Sequence, residues 1–209
     1  MFKAIFFDID GVLIDSLVAN HKFFEALLKE YGLEIPTLKD YEKFYNLSMK
    51  EFIELVAKNE TEEKIETIYQ EGKNNVKIYP LDLIKAPDEL EETVKILSAE
   101  YKLGIVTGRI RAGVFNIPQL KKIEKYFSVV VSYDDTTAHK PDPEPLLLAA
   151  KKLGLEPRDC VYVGDMPTDI EAARAAGVKS IFYSKEKYDQ ADAQALSFAE
   201  LPEVIKKLT

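Results

Sequence analysis

The chain has 209 residues, 46% hydrophobic and 31% charged, enough apolar side chain for a full core, which excludes disordered and collagen-like classes. Its formal net charge is -8 and no Lys/Arg run is long enough to track phosphates, so a nucleic-acid polymer is not an expected partner. The single cysteine, Cys160, cannot form an internal disulfide and reads as a buried thiol in a reducing compartment.

In chain order, Ala4–Phe7 is continuously apolar and stops at Asp8, which predicts a short buried strand over residues 3–8. Asp8, Asp10 and Asp15 interrupt that run before a signal segment could be completed, and no stretch approaches the roughly 20 apolar residues of a membrane span. A soluble, cytoplasmic protein with no membrane partner is expected. Residues 16–80 contain no strand-like run. Ser16 is placed to cap a helix that Gly32 closes, a shorter helical pattern follows near Lys39–Tyr45, Ser48 and Glu51 form a capping box, and Thr61 opens a last helix before Pro80. This insert has nine Lys against eleven Glu and one Asp, a net charge of -3.

Beyond it, short apolar runs at 103–106, 128–131, 160–163 and 179–183 alternate with helical patterns. These start near Pro87, Pro143 and Thr168, the last two closing at Gly154 and Gly177. The alternation predicts an α/β fold with a Rossmann-like parallel sheet and an inserted all-helical domain: residues 1–15 and 81–209 as catalytic core, 16–80 as helical cap.

In such a sheet the loops leaving the carboxyl ends of the strands converge on one crevice. Strand one runs into Asp8, Asp10 and Gly11; strand two into Thr107, Gly108 and Arg109; the loop after strand three carries Lys140; strand four ends in Gly164 and Asp165, with Asp169 beyond. One acid at a strand end is an ordinary helix cap. Four together repel, and Lys140 alone supplies too little charge, so a hard divalent cation, Mg2+, is the expected cofactor. Thr107, Gly108 and Lys140 form a candidate phosphate site, and the spacing of Asp8 and Asp10 allows one acid to attack phosphorus while the other handles protons.

The motifs Asp8-Ile9-Asp10-Gly11-Val12-Leu13, Val106-Thr107-Gly108, Lys140-Pro141-Asp142-Pro143-Glu144 and Gly164-Asp165-Met166-Pro167-Thr168-Asp169, in this order, resemble those of the haloacid dehalogenase superfamily. The insert resembles the small cap of its phosphoglycolate phosphatase and beta-phosphoglucomutase branch. The resemblance implies a phosphatase acting on a small phosphorylated metabolite, with Asp8 as nucleophile forming an aspartyl-phosphate and Asp10 as acid and then base. It also implies Thr107 and Lys140 on the phosphoryl group, and Mg2+ held by Asp8, Asp165 and the Asp10 carbonyl, with Asp169 supporting the metal shell.

Gly108 and Arg109 stand where many relatives of this branch have Asn or another small polar residue after the motif-two hydroxyl, and Arg109 is expected to contact either substrate or a neighbouring acid. Asn46 falls in what resembles the specificity loop. Asp10 argues against a dehalogenase or a phosphonate hydrolase, whose chemistry lacks the second acid. A sugar-phosphate mutase keeps both acids, with His21 as a conceivable cap group but more simply a helix-face or exposed histidine. A non-enzymatic aspartate phosphoacceptor is the reading from another class. His139 is expected to face solvent. Asp134 and Asp135 are expected to cap or turn the chain, with a carboxylate there able to orient Lys140. The sequence sets neither the physiological ester nor the oligomeric state.

Overall fold

The structure is a computed structural model that describes residues 1–45, 47–74 and 79–208. Asn46, expected in a specificity loop, lies outside the described residues. The chain divides into two compact units, one formed by Met1–Ile14 with Ala86–Thr209 and the other by Asp15–Lys85.

The larger unit is built on a sheet of β1 (Ala4–Phe7), β2 (Lys102–Val106), β3 (Phe127–Val131), β4 (Cys160–Gly164), β5 (Lys179–Tyr183) and β6 (Ala193–Ala195). The order is β3-β2-β1-β4-β5-β6 and every neighbouring pair is parallel. All four β1 side chains are buried because the strand is central and covered on both faces, which is why it reads as an unbroken apolar run. Phe6 and Ala4 pack on one face with Tyr162, Val131, Leu146 and Ala173. On the other, Phe7 meets Phe127 edge-on at 6.2 Å and Phe198 at 6.1 Å. A Cβ at Gly104 would lie 2.6 Å from Val129 and 2.7 Å from Phe6, so glycine is what lets β2 pass between those side chains, beside the register shift at Leu103/Gly104.

The covering helices, which follow the four of the smaller unit in the chain, are α5 (Leu90–Glu100), α6 (Pro118–Ile123), α7 (Glu144–Leu153), α8 (Pro167–Ala176) and α9 (Leu201–Lys207). Gly154 and Gly177 close α7 and α8 in the left-handed conformation, with φ of 67° and 71°. Cys160 is fully buried at the start of β4, and burial pushes its thiol up to about 11.

The unit Asp15–Lys85 comprises α1 (Leu17–Lys29), α2 (Leu38–Tyr41), α3 (Met49–Val56) and α4 (Glu62–Asn74). Rings dominate its core: Phe52 lies 4.6 Å from Phe24 and 5.0 Å from Tyr41, the latter edge-on at 86°. The capping box is formed, with the Ser48 N–H donating to Glu51 at 2.7 Å and the Glu51 N–H to the Ser48 hydroxyl at 3.3 Å. Thr61 accepts from the Lys64 N–H at 3.3 Å.

Ser16 departs from expectation. It sits at the N-cap of α1 but makes no side-chain cap bond; its hydroxyl pairs with Tyr45 at 2.8 Å, and Asp15 accepts the Leu17 N–H at 3.3 Å instead. His21 is buried on the helix face rather than exposed, its Nε2 3.0 Å from the Pro36 carbonyl and its ring edge-on to Tyr41. Among the described residues no helix is long and apolar enough to cross a membrane.

Candidate active site

The strand order reverses between β1 and β4, with β2 and β3 on one side and β5 and β6 on the other, so the crevice outside their carboxyl ends is where loops diverge. Asp8 follows β1 directly, and its N–H continues the ladder to the Val163 carbonyl at 3.0 Å. The nucleophile candidate is thereby held by backbone as well as by side chain. After it the chain turns at Gly11, whose φ is 79°; a Cβ there would fall 1.9 Å from an Asp165 carboxylate oxygen. Glycine is required twice over at this position, for the left-handed backbone and for the approach of Asp165.

One oxygen each from Asp8, Asp165 and Asp169 lie within 4.8 Å of one another. Lys140 enters this group from the loop after β3, with its ammonium 3.0 Å from Asp8, 2.6 Å from Asp169 and 2.9 Å from the Tyr162 hydroxyl. Tyr162 also has the Val106 carbonyl and Asp169 at 3.1 Å each, so its one proton is shared between two acceptors while it receives one from Lys140. The second oxygen of Asp169 accepts the Asp165 and Met166 N–H groups at 3.1 Å each, at the N-terminus of α8. Both oxygens of Asp169 are therefore taken by the protein.

Burial pushes the Asp8 carboxyl up to about 7; Lys140 opposes the shift, and the charges of Asp169 and Asp10 add to it. Burial, Asp169 and Asp8 push Asp165 well above the usual carboxylate range. Burial disfavours the charge on Lys140, but Asp169 and Asp8 more than offset it and hold its proton affinity well above the ordinary lysine value. One buried oxygen of Asp8 and one of Asp165 have no hydrogen-bond partner. An orphaned oxygen on each of Asp8 and Asp165, two acids that with Asp169 bring one oxygen each within 4.8 Å, is a donor set that fits a hard divalent cation such as Mg2+.

Asp10 does not join that group through its side chain. Its two oxygens accept from the Arg109 guanidinium, Nε to Oδ2 and Nη2 to Oδ1, both at 2.7 Å. Of the two contacts open to Arg109, the structure shows the neighbouring acid. Thr107 is buried after β2, its hydroxyl accepting the Arg109 N–H at 3.2 Å, and it lines one small pocket with Gly108, Lys140, Ser132, Tyr133 and His139.

His139 is half-buried rather than fully turned to solvent, its ring stacked on Tyr133 with centroids 3.8 Å apart. Asp135 accepts from the Ser132 N–H and hydroxyl at 2.7 and 2.6 Å and pairs with Arg111, turning the chain as expected, while the Arg111 N–H donates to Asp134 at 2.7 Å. The carboxylates on Lys140 are those of Asp8 and Asp169, so neither Asp134 nor Asp135 orients it. Tyr162 is the site residue that sequence reasoning missed. Its signal was a phenol in a strand buried on both faces, where the hydroxyl needs a partner.

The family model for haloacid dehalogenase-like hydrolases matches residues 5–183. The chain is 31% identical over 179 residues to phosphoglycolate phosphatase from Aquifex aeolicus, covering 85% of this chain and 83% of that protein. It is 29% identical over 178 residues to pyrophosphatase PpaX from Oceanobacillus iheyensis, covering 85% and 81% respectively. In fold it is similar to the crystal structure of beta-phosphoglucomutase from Clostridium difficile, with a TM-score of 0.83 and 24% identity over 100% of this chain and 97% of that one.

Proposed function

The chain belongs to the haloacid dehalogenase-like hydrolase family, and from that premise we propose that it is a Mg2+-dependent phosphatase that hydrolyses a small-molecule phosphomonoester through an aspartyl-phosphate on Asp8. The observation that carries this reading is the group formed by Asp8, Lys140, Asp165 and Asp169, with one unpartnered buried oxygen on each of Asp8 and Asp165. Asp8, Asp165 and the main-chain carbonyl of Asp10 would hold the cation, with Asp169 acting behind them as the anchor of Lys140. When bound, Mg2+ supplies the positive charge that keeps Asp8 ionised and offsets the charge on the phosphoryl oxygens.

An oxygen of the Asp8 carboxylate then forms a bond to phosphorus as the ester P–O bond breaks, and the departing oxygen takes a proton from the Asp10 carboxyl. In the second half, the Asp10 carboxylate takes a proton from water as the water oxygen bonds to phosphorus and the Asp8–phosphorus link breaks, releasing phosphate. Lys140 and the Thr107 hydroxyl hold the phosphoryl oxygens, and the Gly108 N–H adds a donor. We assign the helical segment to a cap that selects the leaving group, and the enzyme to the cytoplasm.

The test is steady-state phosphate release from an aryl phosphate with Mg2+ and with chelator. Turnover should need the metal and should fall at least about 10³-fold in Asp8→Asn, whose side chain keeps the shape but not the nucleophile. A hydroxylamine-labile phosphoprotein should be trapped from the wild type and not from the variant. Turnover retained in Asp8→Asn would overturn the mechanism.

A further inference from the structure

A phenylalanine would fill the same core space as the Tyr162 ring, which is fully buried on β4 and packs with Phe6, Val131, Leu146 and Ala173. What the hydroxyl adds is contact with three separate stretches of chain. These are the Val106 carbonyl at the end of β2, Lys140 in the loop after β3, and Asp169 in the first turn of α8. A phenol kept only to satisfy a buried carbonyl would need no cation beside it. Here Tyr162, Lys140 and Asp169 close a triangle: 2.9 Å from the ammonium to the hydroxyl, 2.6 Å from the ammonium to the carboxylate and 3.1 Å from hydroxyl to carboxylate.

Two corners of the triangle are fixed from outside it. The Tyr162 backbone lies between Phe6 of β1 and Ser180 of β5, and the other oxygen of Asp169 accepts the Asp165 and Met166 N–H groups. The third corner, the Lys140 ammonium, ends a flexible four-carbon stem and by itself holds no direction. Of its three N–H groups, two go to Tyr162 and Asp169, and the third remains for oxygens gathered at Asp8, whose carboxylate stands 3.0 Å away. Charge fixed in place before the reaction stabilises a transition state more than charge that must first be brought into line.

We propose that Tyr162 is a positioning residue: its hydroxyl, together with Asp169, aims the Lys140 ammonium at the phosphoryl group transferred to Asp8. The inference rests on the reading of Asp8 given above. It makes a fully buried side chain of the sheet a determinant of the rate.

The experiment follows hydrolysis of para-nitrophenyl phosphate with Mg2+ by the wild type, Tyr162→Phe, Tyr162→Met, Lys140→Ala, the double variant Tyr162→Phe/Lys140→Ala, and Asp8→Asn. In Tyr162→Phe kcat should fall about tenfold or more, the scale of one hydrogen bond to a charged group, while KM changes by less than about twofold. In the Lys140→Ala background the same deletion should change kcat/KM by less than about twofold, because the hydroxyl then has no ammonium to aim. Inorganic vanadate takes the five-coordinate shape of the group in transfer. Its inhibition should weaken in Tyr162→Phe by about the same factor as kcat, and inhibition by inorganic phosphate by less than about twofold. Tyr162→Met, which also lacks the hydroxyl and is flexible enough to fit the space, should lose at least as much in kcat.

A tyrosine serving the fold alone would lower the melting temperature and leave kcat of the folded enzyme and inhibition by vanadate unchanged. That result would overturn the inference, as would equal loss from the hydroxyl deletion with and without Lys140, or failure of both Tyr162 variants to fold. With Asp8→Asn inactive, each of these outcomes leaves the phosphatase reading standing. Turnover surviving in Asp8→Asn, or absent from the wild type, would overturn that reading and this inference with it.

Discussion

The two units bury their interiors by different means. In the larger, aliphatic and aromatic side chains fill both faces of a parallel sheet, and Asp8, Thr107 and Ser132 are buried just beyond strand ends, with Asp169 buried in the first turn of α8. In Asp15–Lys85 the core is a cluster of rings between short helices, and the buried polar side chains among the described residues are Ser16 and His21, each satisfied by a neighbour within the unit. A parallel sheet delivers several loop starts to one edge, so charge can be concentrated there while the strands behind it stay apolar. Helices joined by short loops, with their apolar faces turned on each other, offer no such edge. The difference teaches that in this chain the clustered buried charges come with the sheet edge, whereas the helical unit is held by its rings.

The comparison is broken most directly at Lys140. Lys140→Ala leaves Asp8 and Asp169 buried without their cation, so activity should fall by about 10²–10³-fold and stability by roughly 3–5 kcal/mol, the usual cost of orphaning a buried charge. Steady-state kinetics and thermal melts with and without Mg2+ would check both; an unchanged rate would remove Lys140 from the site.

A change confined to the helical unit should act differently. Phe52→Ala empties the centre of the ring cluster and should cost about 3–5 kcal/mol. Hydrogen exchange resolved by segment should show lost protection in α1 and α3, with β1 and β4 unaffected. Equal loss across both would mean that the two cores melt as one.

The smallest effect is electrostatic and lies in the turn after β3. Burial raises the proton affinity of Asp135, but the Ser132 hydroxyl and N–H and the Arg111 guanidinium bring its carboxyl down to about 2. A carboxyl lowered in the folded state stabilises the fold above its ordinary value of 3.8, and the contribution is lost as pH falls toward about 2. It is on the order of 1–2 kcal/mol. Asp135→Asn should therefore flatten the acid limb of a stability profile between about pH 5 and pH 2 and lower stability at neutral pH.

Much of the sheet was legible because each central strand is an apolar run that ends at a chemical residue, as Ala4–Phe7 ends at Asp8 and Cys160–Val163 at Gly164 and Asp165. β6 was not, since Ala193–Ala195 is three residues at a sheet edge with no alternation to detect. α6 escaped notice for a similar reason, being six residues long. In the site, residue types at strand ends announced the acids, Thr107 and Lys140. What they could not announce was who pairs with whom, because pairing depends on rotamers and on contacts between loops far apart in the chain. The two-pronged bond between Asp10 and Arg109 spans 99 residues, and the Tyr162 bond to Lys140 spans 22. His139 looked solvent-facing for want of any sign that Tyr133, six residues earlier, would stack on it.

The buried thiol of Cys160, set at the inner end of β4 with its proton held up to about 11, has a practical consequence. A chain whose sole sulfhydryl is both hidden and protonated at neutral pH is a ready background for site-directed labelling. A single cysteine introduced on the outer surface of α4, and another beside α9, would accept a donor and acceptor dye without the native thiol being removed first. The distance between helical segment and sheet could then be followed through a catalytic cycle in the otherwise unaltered enzyme.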